Sequence, residues 1–291
     1  PAGVAVSEAV PAIGTSRIYY TTKDTLWLYD RITKRSTLIS TGGMEDIALS
    51  PKGDRIAFSR AVPPPLAGKS ATGAQIWTLP LDPGTGAASG PARRVSVMTG
   101  FLPSFSPDGQ RIAFAAQDTA GWKLVAVMPA SGGTERILDR TQRRVIVVRW
   151  SPDGESIVFG SWETRGRGWK ETMGTYRVPA VGGTTTLISR AGSYAPGLSP
   201  DGRLIATSNA WEDSLVVMTS SGRELGGFAA SDLNHLGASW TGSAGVMFHK
   251  AVVVQRLRAY SLADGMTRTL TDSADRIWEA HWSPDGRQIL M

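Results

Sequence analysis

The chain repeats one short phrase, Ser-Pro-Asp-Gly, along nearly its whole length. Intact or altered copies of the phrase occupy residues 50–53, 106–109, 151–154, 199–202, 241–245 and 283–286. Lys52 replaces the aspartate in the first copy, and a glycine replaces the proline in the copy that begins at Thr241. Proline presets φ at the second position of a tight turn, and glycine accepts the positive φ that such a turn needs. Each copy therefore predicts a tight hairpin between two strands.

Successive copies begin 42 to 56 residues apart, and each is followed by short segments in which apolar and polar residues alternate. Such alternation indicates half-buried strands, and four of them fit between one turn phrase and the next. A period of about 40 to 50 residues with four strands per repeat is typical of propeller blades. We therefore predict an all-β protein, a six-bladed β-propeller of four-stranded antiparallel blades, and treat residues 1–291 as a single domain.

The two ends of the chain suggest how such a ring would close. We assign residues 1–14 to an N-terminal extension, and residues 17–40 to the second, third and fourth strands of the first blade. The segment 278–286, "WEAHWSPDG", reads as a first strand, so we expect this C-terminal strand to pair with the N-terminal strands. Residues 287–291, "RQILM", would form a further second strand, so they either lie outside the ring or the native chain continues beyond Met291.

Composition limits the kinds of partner and chemistry. Lysine and arginine number 31 against 25 aspartates and glutamates, a net charge of +6 that is spread along the chain and comes with no nucleic-acid reader motif. The absence of cysteine excludes disulfides and thiolate sites. No apolar run approaches the length of roughly 20 residues that a membrane-spanning helix needs, and no signal peptide is visible. We expect a monomer without a transmembrane segment that binds no nucleic acid.

The repeated pattern "SPDGxxIAF…IW…P…GG…LT" resembles the TolB-type propeller repeat and covers residues 18–286. The resemblance implies a bacterial propeller that binds proteins, in the periplasm or outside the cell. The N-terminal α/β domain of TolB has no counterpart in this sequence. The same repeat occurs in prolyl-oligopeptidase-type serine peptidases and some bacterial amidohydrolases, where the propeller accompanies a separate catalytic domain.

The search for catalytic residues in the sequence returns little. The segment "GASWTG" that begins at Gly237 contains Ser239, but it lacks the G-x-S-x-G spacing of a nucleophile elbow and lies on a predicted first strand. We therefore expect no catalytic site and no enzyme activity from this chain by itself.

Positions just before each turn phrase should face the centre of a propeller. The candidate channel-lining residues are Asp46, Ser104, Arg149, Ser239, Glu279 and His281. We interpret the carboxylates as a solvated acidic rim that Arg149 partly balances, and we expect no cofactor. The alternative is a divalent cation in the channel, held by Asp46, Glu279 and His281.

The longer loops depart from the repeat, and one group of them is rich in arginine and tryptophan. The segments 139–145 and 161–172 both lie on the predicted rim where blades begin. Their candidate partner-binding residues are Arg140, Arg143, Arg144, Trp162, Arg165, Arg167, Trp169 and Lys170. Arginine and tryptophan are the residues most enriched in binding hot spots. We predict a non-catalytic scaffold that binds a protein or peptide through this face. The alternatives are the propeller domain of a larger hydrolase and a propeller that binds a ligand or metal at its channel.

Overall fold

The computed structural model describes residues 8–12, 14–22, 24–61, 73–117, 123–140, 144–162, 173–190, 196–209, 214–229, 238–241, 245–249, 257–270, 281–282 and 289–290. All regular secondary structure in these segments is β-strand. In the same segments the structure has no helix long and apolar enough to cross a membrane.

The described strands form six four-stranded antiparallel sheets, in each of which neighbouring strands follow one another along the chain. Sheet 1 contains β1 (Glu8–Pro11), β2 (Arg17–Thr22), β3 (Thr25–Asp30) and β4 (Arg35–Thr41). Sheet 2 contains β5 (Glu45–Leu49), β6 (Arg55–Ala61), β7 (Ala74–Pro80) and β8 (Arg93–Arg94). Sheet 3 contains β9 (Thr99–Phe105), β10 (Arg111–Gln117), β11 (Lys123–Pro129) and β12 (Arg136–Asp139).

The second half of the chain continues the pattern. Sheet 4 contains β13 (Arg144–Trp150), β14 (Ser156–Trp162), β15 (Met173–Pro179) and β16 (Thr186–Ser189). Sheet 5 contains β17 (Gly197–Leu198), β18 (Leu204–Asn209), β19 (Ser214–Thr219) and β20 (Glu224–Ala229). Sheet 6 contains β21 (Ala238–Thr241), β22 (Gly245–His249), β23 (Leu257–Ser261) and β24 (Thr267–Thr269). A two-stranded hairpin of β25 (His281–Trp282) and β26 (Ile289–Leu290) follows.

The chain divides into two compact units, Pro1–Thr141 with sheets 1 to 3 and Gln142–Met291 with sheets 4 to 6 and the final hairpin. In each unit, apolar side chains fill the space between successive sheets. Tyr19 and Leu26 of sheet 1 pack with Phe58 of sheet 2 in one cluster of the first unit. Val158 of sheet 4 packs with Ile205 of sheet 5 in the second unit. Consecutive residues of a central strand, such as Ile56, Ala57 and Phe58 of β6, are buried, so this strand is covered on both faces, whereas the alternation predicted burial of one face.

The first sheet corrects the predicted closure. Glu8–Pro11 pairs antiparallel with β2, so the edge position that we assigned to the C-terminal strand is occupied by residues that we assigned to an extension. The connection is a tight turn in which Ala12 N donates to Arg17 O at 2.9 Å and Gly14 has a φ of +71°. This turn lacks the Ser-Pro-Asp-Gly phrase, and for that reason the repeat did not reveal the strand. Closure of the ring and the single domain stay predictions.

Four of the copies, those described in full, form the predicted hairpins, and each contains a buried serine. The glycines Gly53, Gly109, Gly154 and Gly202 have φ values of +67° to +73°. Ser106 is fully buried, its Oγ donates to Asp108 Oδ1 at 2.5 Å, and the same Oγ accepts from Arg111 N at 2.9 Å. Ser151 and Ser199 make the same set of bonds.

The first copy keeps this arrangement although it lacks the aspartate. Lys52 stands at that position, and Ser50 Oγ donates instead to Asp54 Oδ1 at 2.6 Å. Asp54 also receives a hydrogen bond from Arg55 Nη2 at 3.2 Å. A carboxylate beside the serine is therefore common to all four turns that the structure describes in detail.

These turns should make the protein sensitive to acid. Hydrogen bonds from the turn serines and from backbone N–H groups lower the pKa of Asp108, Asp153 and Asp201. A carboxyl group whose pKa is lower in the folded state contributes stability above its unfolded pKa, about 4, and loses that contribution as the pH falls through the folded value. We expect the free energy of unfolding, measured by urea denaturation, to decrease below about pH 4.

The variant that replaces all three aspartates by asparagine is the control for this acid effect. It should be less stable than the wild type near pH 7, with a shallower loss of stability below pH 4. An equal slope for the two proteins would show that other groups cause the acid sensitivity.

Candidate partner-binding surface

Two of the predicted partner-binding residues lie directly opposite each other. Arg144 begins β13 and Trp162 ends β14, and the register of the two strands pairs them. Trp162 is also the partner of Met173, the first residue of β15. Arg144, Trp162 and Met173 therefore occupy neighbouring positions on three adjacent strands of sheet 4.

The other predicted residues of this face are described only in part. Arg140 directly follows β12 and is exposed. Arg143, Arg165, Arg167, Trp169 and Lys170 lie outside the described residues. The grouping of Arg144 with Trp162 rests on the strand register, and the inclusion of the others stays a prediction.

Three predicted channel residues are described with their side chains: Ser104, Arg149 and Asp46. Ser104 is partly buried in β9, where it pairs with Ala113. Arg149 is exposed in β13, and its Nη1 donates to the carbonyl oxygen of Val148 at 3.1 Å.

Asp46 lies where β5 departs from regular pairing with β6 and has a φ of +52°. Its Oδ2 accepts from Ser59 Oγ at 2.7 Å and from Leu102 N at 3.2 Å. Leu102 also has a positive φ, +55°, so this carboxylate connects irregular positions of sheets 2 and 3. Asp46 therefore has a role in joining two sheets that its place in the sequence did not indicate.

The remaining channel residues are described less fully. Ser239 of β21 pairs with Met247 of β22, and His281 of β25 pairs with Leu290 of β26. Glu279 lies outside the described residues. Among the side chains that are described, no three histidine, aspartate or glutamate residues lie close enough to hold a metal ion. A cation held by Asp46, Glu279 and His281 stays a prediction.

One charged residue that the sequence analysis overlooked occupies an unusual environment. Arg60 lies near the end of β6, and its Cζ is 5.0 Å from the ring centroid of Phe58 and 4.7 Å from that of Trp77. Burial lowers the pKa of its guanidinium. The available signal was a charged residue at a strand position that other repeats fill with Ala116 or Ser161.

Comparison with known proteins supports the fold and leaves the activity open. No family model matches the chain. A curated relative, dipeptidyl-peptidase 5 of Porphyromonas gingivalis, is 27% identical over 148 residues, which are 48% of this chain and 21% of that protein. The match thus spans about a fifth of the length of the relative.

Several solved structures are similar over nearly the whole chain. TolB from Acinetobacter baumannii has a TM-score of 0.60 at 18% identity, covering 90% of this chain and 65% of its own. The Dos1 propeller has a TM-score of 0.68 at 12% identity, covering 98% and 75%. A puromycin-hydrolyzing peptidase of Mycobacterium tuberculosis has a TM-score of 0.67 at 16% identity, covering 93% of this chain and 46% of its own. Together with the four-stranded sheets, these similarities show that the chain is an all-β protein with a TolB-like β-propeller fold.

Proposed function

We propose that this propeller is a non-catalytic binding module that captures a protein or peptide through the Arg/Trp face, the predicted surface made of Arg140, Arg143, Arg144, Trp162, Arg165, Arg167, Trp169 and Lys170. The observation that carries the proposal is the pairing of Arg144 with Trp162 at the ends of β13 and β14. Binding residues are often held on loops by a rigid scaffold, and sheet 4 provides such a scaffold at the base of segment 163–172.

The chemistry of this face favours an acidic partner that also carries apolar or aromatic groups. Arginine and tryptophan are the residues most enriched among binding hot spots, because both combine a large contact area with a polar group. The net charge of +6 adds a long-range attraction for acidic segments, which raises association rates. The proposed partner is thus a protein or an extended peptide, and no cofactor takes part.

A random peptide library displayed on phage tests this proposal. Immobilised wild-type protein should enrich acidic peptides that contain apolar residues. Synthetic copies of those peptides should bind Arg144→Ala and Trp162→Ala at least about tenfold more weakly, the loss expected for hot-spot residues. The charge-matched control is Arg93→Ala in β8, an exposed arginine of another sheet, which should bind as the wild type does. Failure to enrich any peptide, or equal binding by all variants, would contradict the proposal.

A second candidate is the propeller domain of a longer hydrolase. It is supported by the match to dipeptidyl-peptidase 5 and by the peptidase structure, of which this chain covers less than half. Sequencing the native reading frame on both sides of the present chain tests it. A neighbouring domain with a serine, an aspartate and a histidine in the chain order of an α/β-hydrolase would favour this candidate. A reading frame that encodes a propeller and no catalytic domain would argue against it.

We further propose that the protein acts in a bacterial periplasm or outside the cell, as a monomer. The support is the TolB-like fold. Fractionation of native cells, with size-exclusion chromatography of the purified chain, tests both points.

A further inference from the structure

Arg60 lies over two aromatic rings, and its positive charge has no counter-charge among the described residues. Its guanidinium lies over the rings of Phe58 and Trp77 at 5.0 and 4.7 Å, and cation–π attraction to both rings holds it there. Both rings belong to paired positions of β6 and β7, so the aromatic surface is part of the sheet itself. A guanidinium placed over an aromatic ring keeps N–H groups available for hydrogen bonds.

No protein group neutralises this guanidinium in the part of the chain that the structure describes. Its Nε is buried and has no hydrogen-bond partner. Burial alone lowers its pKa, with no carboxylate acting in the opposite direction. The carboxylate of Asp46 accepts from Ser59 Oγ, on the residue before Arg60, and from Leu102 N. The cation–π contacts offset only part of the hydration that a half-buried cation loses, and an incoming anion would supply the missing counter-charge.

A glycine of the connection between β4 and β5 lies beside the guanidinium. A Cβ atom at Gly42 would lie 3.5 Å from Arg60 Nη2, so the connection between β4 and β5 passes beside this nitrogen. The neighbouring Gly42 N and Gly43 N donate to Asp24 O at 2.8 and 3.2 Å, which fixes the connection. Glycine at this place leaves room next to the guanidinium edge that a larger residue would fill.

The arginine is also specific to sheet 2. Counting from the turn phrase, the corresponding residues of the next three sheets are Ala116, Ser161 and Asn209. All three are small or uncharged, so the propeller repeat itself does not need an arginine at this position. A charge that the fold does not require, placed on a rigid aromatic surface, indicates recognition of a ligand.

We infer that Arg60 is a binding site for a carboxylate of a peptide or protein partner, either an acidic side chain or a C-terminal carboxylate. The two Nη groups match the two carboxylate oxygens in a bidentate pair, which a lysine ammonium does not reproduce. This site goes beyond the Arg/Trp face, because it belongs to sheet 2 and requires neither Arg144 nor Trp162.

Titration of the arginine side-chain NMR signals with short peptides tests the inference. The Arg60 signals are assigned as those that disappear in Arg60→Lys, a variant that keeps the charge. The probes are acetyl-Gly-Gly-Glu-Gly-Gly-amide, its glutamine counterpart, pentaglycine with a blocked amine and a free carboxylate, and inorganic phosphate. The Arg60 signals of the wild type should shift saturably with the first or the third probe and not with the glutamine peptide.

The controls separate this site from general attraction to a basic protein. Arg223→Gln removes an exposed arginine and should leave the titration unchanged. Arg60→Lys should bind the same carboxylate peptide at least about tenfold more weakly, as measured through the NMR signals of that variant. A tighter response to the glutamate peptide or to the free carboxylate identifies the source of the ligand group.

Two results would overturn the inference: no saturable shift with either carboxylate peptide, or tighter binding of phosphate than of both. The decisive titration uses the wild-type chain, and Arg60→Lys is needed only to assign the Arg60 signals. The outcome of the phage-peptide experiment with Arg144→Ala does not change how this titration is interpreted.

Discussion

Gly222→Ala should lower the free energy of unfolding by about 3 kcal/mol or more, because the added methyl group would collide with the backbone of another sheet. Gly222 lies in the turn between β19 and β20 with a φ of +93°. A Cβ atom there would lie 2.4 Å from the carbonyl oxygen of Ile188, which belongs to the neighbouring sheet 4. The contact is with backbone, so relief requires that two sheets move apart.

The matched control is Gly182→Ala, at the same turn position of sheet 4. Gly182 has a similar φ of +81°, and its N–H donates to Pro179 O, as that of Gly222 does to Thr219 O. A Cβ at Gly182 would meet no atom within 4 Å. This variant should therefore lose only the cost of the left-handed conformation, about 1–2 kcal/mol. Urea denaturation of both variants measures the difference, and equal losses would show that sheets 4 and 5 do not approach as closely as the structure indicates.

Ser199→Ala should lower the free energy of unfolding by about 2–3 kcal/mol, because it removes the hydroxyl group that makes the side-chain hydrogen bonds of the turn. Ser199 is fully buried, donates to Asp201 Oδ1 at 2.6 Å and accepts from Leu204 N at 2.9 Å. Alanine would leave the N–H of Leu204 without this acceptor and the carboxylate without its donor. The loss of a bond to a charged group and of a buried acceptor together give the expected magnitude.

Ser220→Ala provides the comparison, since Ser220 is half-buried and its hydroxyl makes no hydrogen bond in the described structure. It should change the free energy of unfolding by less than about 0.5 kcal/mol. Asp201→Asn keeps an acceptor oxygen for Ser199 and should lie between the two. If Ser199→Ala and Ser220→Ala changed the free energy of unfolding by equally small amounts, the hydrogen bonds of the Ser199 hydroxyl would not stabilise the turn.

The candidate surface was only partly predictable from the sequence. The residue types of the Arg/Trp face and their loops were visible, and the register then placed Arg144 opposite Trp162. The sequence predicts Asp46 as a channel residue, which stays a prediction, but it does not indicate that the Asp46 carboxylate bonds to Ser59 and Leu102, because an irregular strand pairing brings a second sheet to it. Arg60 went unnoticed because the rings that make it unusual are seen only when β6 and β7 are paired.

The sequence by itself determined the repeating unit of this protein. Proline, aspartate and glycine act on the backbone within a few residues, so their order places the first hairpin of sheets 2 to 5, whereas the first hairpin of sheet 1 lacks the phrase. Tertiary structure decided what depends on segments far apart in the chain. It placed Glu8–Pro11 at the edge of sheet 1, bonded Asp46 across two sheets and stacked Arg60 on two rings. Such contacts depend on which surfaces pack together, and the local pattern of a strand does not contain that information.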